Sequence, residues 1–125
     1  NSFGRHTTSP DVHVVGIDNV ECGRMAARTL IERGYRELAF MGGPEAATST
    51  QDRLAGFREI IRETPGVSQT HSFAESYSFD AGRDEMKRLL AGTPAQAFFC
   101  GDDVLSIGAL SAVRSSGLRV PEDVA

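Results

Sequence analysis

The sequence predicts a three-layer α/β fold, with helices covering both faces of a parallel sheet. Three observations predict it. Short β-branched or aromatic runs alternate with amphipathic helical patterns along the chain, the signature of a parallel sheet with crossover helices. One of these runs, Ala95 to Cys100 (AQAFFC), is nearly all apolar, the kind of strand that a parallel sheet buries on both faces. The chain has 125 residues, 40% hydrophobic and 24% charged, enough for one domain with a real core and too few for two.

Residues Asn1 to Asp11 are polar and turn-rich and read as an arm. Val12 to Ile17 (VHVVGI) is a β-branched run, hence a strand. Asp18-Asn19 offers an N-cap, with Glu21 three residues after Asp18 as a capping box requires. Met25, Ala26, Leu30 and Ile31 then recur at helical spacing, and Arg33-Gly34 closes that helix. Glu37 to Met41 is a strand that Gly42-Gly43-Pro44 breaks. Glu45 to Thr50 reads as a small polar loop. A helix follows with Leu54, Phe57, Ile60 and Ile61 on one face, and Thr64-Pro65-Gly66 stops it.

Val67 to Phe73 contains a weaker strand. Ser78 or Asp80 can cap the next helix, whose apolar stripe is Phe79, Gly82, Met86, Leu89 and Leu90, and Gly92-Thr93-Pro94 ends it. After the Ala95 to Cys100 strand, Gly101-Asp102-Asp103 turns the chain into a helix from about Asp103 to Ser116, with Gly117 as a good residue just past its end. In the tail, Leu118 to Ala125, Val124-Ala125 reads as the entry to one more strand, leaving the sheet with an unpaired edge.

Several functions are argued against. A net charge of −4 is the wrong sign for a domain that grips nucleic acid by its phosphates. No apolar stretch approaches membrane-spanning length, and no signal peptide opens the chain. Cys22 and Cys100 form no C-x-x-C and read as small buried hydrophobes in a reducing compartment. Gly42-Gly43-Pro44 lacks both glycine-rich nucleotide motifs. Adjacent Asp102 and Asp103 diverge and have no third acidic ligand at a matching spacing. His6, His13 and His71 have no metal spacing with the cysteines. There is no G-x-S-x-G and no Ser–His–Asp order. The chain therefore reads as a non-enzyme without metal or cofactor.

In open parallel sheets ligands bind at the carboxyl ends of the strands. Three loops qualify: Gly42 to Thr50, Ala74 to Ser78, and Gly101 to Asp103. The last helix carries more apolar residues than one buried stripe needs. Val104, Ile107 and Leu110, with Ser111 beside them, read as a second face that is buried against a partner subunit or against a further part of the chain.

The ordered blocks resemble the effector-binding half of the LacI/GalR family of bacterial transcription regulators. They are Val15-Gly-Ile-Asp-Asn19, Gly23 with Ala26-Ala27, Leu30-Ile-Glu-Arg-Gly34-Tyr-Arg36, and Phe40-Met-Gly-Gly-Pro44. Arg53-Leu-Ala-Gly-Phe57-Arg, Phe79-Asp-Ala-Gly82, Ala97-Phe-Phe-Cys-Gly-Asp-Asp103, Ile107-Gly-Ala-Leu110 and Gly117-Leu-Arg-Val-Pro-Glu-Asp-Val124 complete the series. The resemblance implies a Rossmann-like lobe of the type I periplasmic-binding-protein kind, incomplete at both ends. Residues 1–18 would be a remnant of the N-terminal lobe and the crossover, and 19–125 the C-terminal lobe. It also implies a cytoplasmic homodimer that senses a small effector, usually a sugar, between two lobes, and that touches DNA only through a headpiece outside this chain. The rival is a periplasmic sugar receptor, since the lobe architecture is shared.

Four positions match the family's pocket. The Arg53 guanidinium can give paired hydrogen bonds to hydroxyls or a carboxylate. Asp102 can accept two hydroxyl donors; the family frequently has Asn there, and Asp is also a common helix N-cap, a role that Asp103 is expected to fill here. Tyr77 can stack on the C–H face of a sugar ring, or simply pack locally. Ser49 can offer a hydroxyl, or cap a helix. Ala47, where some members carry a polar contact, offers none.

Overall fold

A computed structural model describes residues 18–92, 95–118 and 120. It contains four helices and three strands in strict alternation: α1 (Asn19–Glu32), β1 (Glu37–Gly42), α2 (Thr48–Arg62), β2 (Ser68–Phe73), α3 (Phe79–Gly92), β3 (Ala97–Cys100) and α4 (Asp103–Ser115). The strands form one parallel sheet in the order β2-β1-β3. Leu38 is paired with Gln69 on one side and Ala97 on the other, and Met41 with Ser72 and Cys100. The expected strand at Val12 to Ile17, the Thr93-Pro94 stop and the strand entry at Val124-Ala125 lie outside the described residues.

The period-2 alternation of β1 divides the core. Leu38 and Phe40 point to the layer made by α1 and α2, where they meet Ala27, Leu54, Phe57, Ile60 and Ile61. Met41 points to the layer made by α3 and α4, where it meets Met86, Leu89, Leu105, Ala109 and Val113. Phe40, Phe57 and Phe99 form a tilted aromatic cluster with centroids 5.5–6.0 Å apart, a geometry that suits the ring quadrupoles better than face-to-face stacking.

In each helix layer, glycines let two backbones touch. A Cβ at Gly56 of α2 would lie 1.9 Å from the carbonyl oxygen of Val20 in α1, and one at Gly23 would lie 2.0 Å from that of Arg53. On the other face a Cβ at Gly108 of α4 would lie 2.2 Å from the Phe79 carbonyl oxygen of α3. Arg24 reinforces the first crossing, pairing with Glu21 of its own helix at 3.2 Å and with Glu59 of α2 at 3.1 Å.

Most helix ends follow the expected chemistry. Asp18 Oδ1 accepts from the Glu21 amide at 3.0 Å. Ser78 Oγ, rather than Asp80, caps α3 by accepting from the Ala81 amide at 3.1 Å. Gly34, Gly66 and Gly117 follow α1, α2 and α4 with positive φ, where a side chain would be strained.

Four expectations need correction. The run Thr48 to Thr50 is the first turn of α2 rather than a loop, and Ala47 is its N-cap, with no side-chain hydrogen bond. Asp102, not Asp103, caps α4. Phe79 is 39% exposed and does not join the buried stripe of α3, because it is the first residue of the helix and overhangs its end. Instead the Arg83 guanidinium lies over its ring, 5.8 Å from the centroid. β3 is shorter than expected and is buried fully only at Ala97; Phe98, Phe99 and Cys100 are half-buried because β3 is an outer strand among the described residues.

Candidate functional site

All three strands are parallel, so their carboxyl ends open on one side of the sheet, and the starts of α2, α3 and α4 follow there. The expected site residues are carried by these segments. Arg53 sits in the second turn of α2, Ser49 in its first, Tyr77 between β2 and α3, and Asp102 between β3 and α4.

Arg53 is the residue that ties the segments together. Its Nε donates to Asn19 Oδ1 at 2.9 Å, and one terminal nitrogen donates to the Gly101 carbonyl. One half-buried guanidinium thus joins the start of α1, the start of α2 and the turn after β3. A cation near a helix N-terminus is electrostatically disfavoured. The two neutral oxygens offset that by satisfying the planar donor fork, which retains further N–H groups.

Asp102 lies beside that carbonyl. Its Oδ2 accepts from the amides of Val104 at 2.9 Å and Leu105 at 3.3 Å. Its carbonyl accepts from the amide and the hydroxyl of Ser106, at 2.9 and 3.0 Å. The cap fixes the carboxylate without exhausting it, because two oxygens offer about four lone-pair positions.

Tyr77 is 45% exposed, but its hydroxyl lies 3.1 Å from Thr50 Oγ1. Thr50 is itself only 4% exposed. Ser49 is half-buried in the turn that carries Thr50. The structure therefore links Arg53 to the Gly101-Asp102 turn directly, and Tyr77 to the first turn of α2 through Thr50. No hydrogen bond joins the Tyr77 and Asp102 side chains.

Sequence reasoning missed Asn19, Thr50 and the Gly101 carbonyl. In the sequence Asn19 reads only as part of a cap, and Thr50 only as the end of a loop. Nothing local marks a backbone carbonyl 48 positions from its donor.

Burial pushes the Cys100 thiol up to about 11, with the Ser106 side chain acting against the shift. A thiol of that kind is no nucleophile at neutral pH. Among the described residues no cluster of His, Cys, Asp and Glu could hold a metal ion, and no helix is long and apolar enough to cross a membrane. Two apolar hollows lie along β3. One, of about 250 Å³, is lined by Met25, Leu30, Phe98 and Phe99. The other, of about 120 Å³, is lined by Met86, Phe98, Leu110 and Val113.

The model of the periplasmic binding protein-like domain matches residues 27–125. The chain belongs to the periplasmic binding protein-like domain family. Among curated members, it is 36% identical to the HTH-type transcriptional regulator CelR of Thermobifida fusca over 98% of its own length and 37% of that protein's. A solved CelR–cellobiose complex superposes with a TM-score of 0.80 at 37% identity, covering 88% of this chain and 34% of that one. It is 39% identical to the transcriptional repressor PurR of Escherichia fergusonii, over 86% of this chain and 33% of that one. A LacI-family regulator from Burkhoderia phymatum superposes with a TM-score of 0.81 at 31% identity, covering 88% of this chain and 41% of that one. The LacI/GalR resemblance read from the sequence therefore holds. The periplasmic binding protein-like relatives named here are transcriptional regulators, and the chain spans about a third of the length of the curated ones.

Proposed function

We propose that this chain is the C-terminal lobe, residues 19–125, of the effector-binding unit of a cytoplasmic LacI/GalR-type regulator. It binds a small polyhydroxylated effector, a sugar, and catalyses nothing. The observation that carries this reading is the Arg53 bridge from Asn19 to Gly101. It holds a guanidinium fork against the Gly101 carbonyl, one residue before Asp102, on the side of the sheet where open α/β folds take ligands. Fixed donors and acceptors at one end of the sheet suit hydroxyls, which both give and accept hydrogen bonds. Tyr77 and Ser49 supply a ring face and a further hydroxyl. Similarity to a regulator solved with cellobiose supports the sugar class.

Effector held between two lobes changes their relative angle, and a dimer transmits that change to DNA through headpieces outside this chain. In fluorescence-anisotropy titrations, the regulator that contains this chain is expected to change its affinity for a palindromic operator at least fivefold when a cognate mono- or disaccharide is added. Affinity that no saccharide alters would contradict the reading.

The dimer contact is assigned to α4. Val104 is 43% and Ile107 61% exposed, with Leu110 and Ser111 half-buried beside them. Apolar side chains left in water along one helix face favour burial against a second copy. Ile107→Asp is expected to shift the regulator from dimer to monomer in light scattering at micromolar concentration. A variant that stays dimeric would remove α4 from the interface.

A further inference from the structure

Tyr77 belongs to a short connection between β2 and α3 in which Glu75 and Ser76 are exposed. A tyrosine in such a connection would ordinarily sample several rotamers, and each lost rotamer costs free energy when a ligand selects one. Here the ring is already held from two sides. A Cβ built on Gly43 would lie 2.2 Å from Cε1 of the ring, 2.5 Å from Cζ and 2.8 Å from Cδ1. The ring therefore lies against the backbone of Gly43, in space that any other residue would fill. At its far end the hydroxyl meets Thr50 Oγ1, a group buried in the first turn of α2.

The connection itself is pinned at both ends. The Ala74 amide donates to the Gly42 carbonyl at 2.8 Å. Ser78 Oγ accepts from the Ala81 amide and lies 3.0 Å from Ser76 Oγ. With these contacts made, nearly half of Tyr77 is still exposed.

We infer that Thr50 and Gly43 are positioning residues that hold the Tyr77 ring as a preorganised platform for the apolar C–H face of a saccharide ring. This rests on the sugar-sensing reading above. Neither residue need touch the ligand. Gly43 provides the room in which the ring lies, and Thr50 selects its rotation by holding the hydroxyl. The consequence for specificity is that ligands with a flat apolar face gain from the platform, and acyclic polyols do not.

The test uses the regulator that contains this chain, labelled with 3-fluorotyrosine, the Tyr77 resonance being assigned by its loss in Tyr77→Phe. Two quantities are read: the ligand-free ¹⁹F shift of Tyr77, and the dissociation constants for a panel of mono- and disaccharides that includes cellobiose. Thr50→Val keeps the shape and removes the hydroxyl. It is expected to move the resonance toward that of free fluorotyrosine and to weaken the best saccharide by about five- to tenfold. Thr50→Ser is expected to restore both to near the wild-type values, and Gly43→Ala to displace the resonance further still. An unmoved resonance in Thr50→Val overturns the proposal, whether or not affinity falls. So does unchanged affinity with a moved resonance. A wild-type protein that binds no saccharide in the panel overturns the sugar-sensing reading, and the platform's ligand class falls with it. The ligand-free shift separates that failure from a failure of the positioning contacts.

Discussion

Replacing Gly56 by Ala is expected to cost the domain at least about 2 kcal/mol, although alanine is the better helix former. In an open helix position the exchange would gain about 1 kcal/mol. At Gly56 the new methyl would sit 1.9 Å from the Val20 oxygen and 3.0 Å from the Arg24 nitrogen. These are backbone atoms, so no side-chain rotation relieves the clash, and α1 and α2 must separate. Separation loosens the buried cluster around Ala27, Leu54 and Phe57. Overpacking costs about 1–3 kcal/mol and occasionally more; a clash with unyielding backbone belongs at the upper end of that range, which outweighs the propensity gain. Against the 5–15 kcal/mol typical of a folded domain, the loss is large, and the melting temperature should fall by about 8 °C or more. Gly92 is the internal control. It ends α3 with nothing within 4 Å of where a Cβ would stand, so Gly92→Ala should leave stability unchanged or slightly raised. Thermal and urea unfolding of both variants decide the matter. A Gly56→Ala protein as stable as the wild type would show that the two backbones are not in contact.

The second large effect is at Arg53. Arg53→Ala removes the donors to Asn19 and to the Gly101 carbonyl, and with them the fork proposed to meet effector hydroxyls. Hydrogen bonds from a charged group contribute about 1.5–3 kcal/mol each when one partner is removed. Losing one such bond to ligand should weaken saccharide binding by about 10- to 150-fold. Arg53→Lys keeps the charge and loses the planar fork. It should recover only part of the affinity, since a single ammonium cannot serve Asn19, Gly101 and a ligand together. Full recovery by lysine would mean that the charge alone matters there.

Much of the fold was legible because local chemistry decides it. Asp18 before Glu21, Ser78 before the Phe79 helix, and Gly34, Gly66 and Gly117 after three helices all act through neighbours a few positions away. What was misread depends on neighbours far along the chain. Thr48-Ser49-Thr50 has loop chemistry, since short hydroxyl side chains compete for the backbone. It is helical here, with Thr50 Oγ1 facing Tyr77, 27 positions away. On paper Asp103 is the expected cap. The choice falls to Asp102, whose extended backbone (φ −160°, ψ 147°) leads from β3 into α4. The stripe Phe79, Gly82, Met86 has the right spacing, but its first member overhangs the end of α3. The site was legible as residue types at strand ends; its wiring was not, because Arg53 finds Asn19 and Gly101 only once the sheet has formed.

The most direct test is an isothermal titration of the full-length protein containing this chain, and of its Arg53→Ala variant, against mono- and disaccharides including cellobiose. The predicted result is that the wild type binds one of them and that the variant loses at least tenfold in affinity while remaining folded. Equal affinity in the two proteins would contradict the account, as would a wild type that ignores every saccharide and binds a flat nitrogen heterocycle instead.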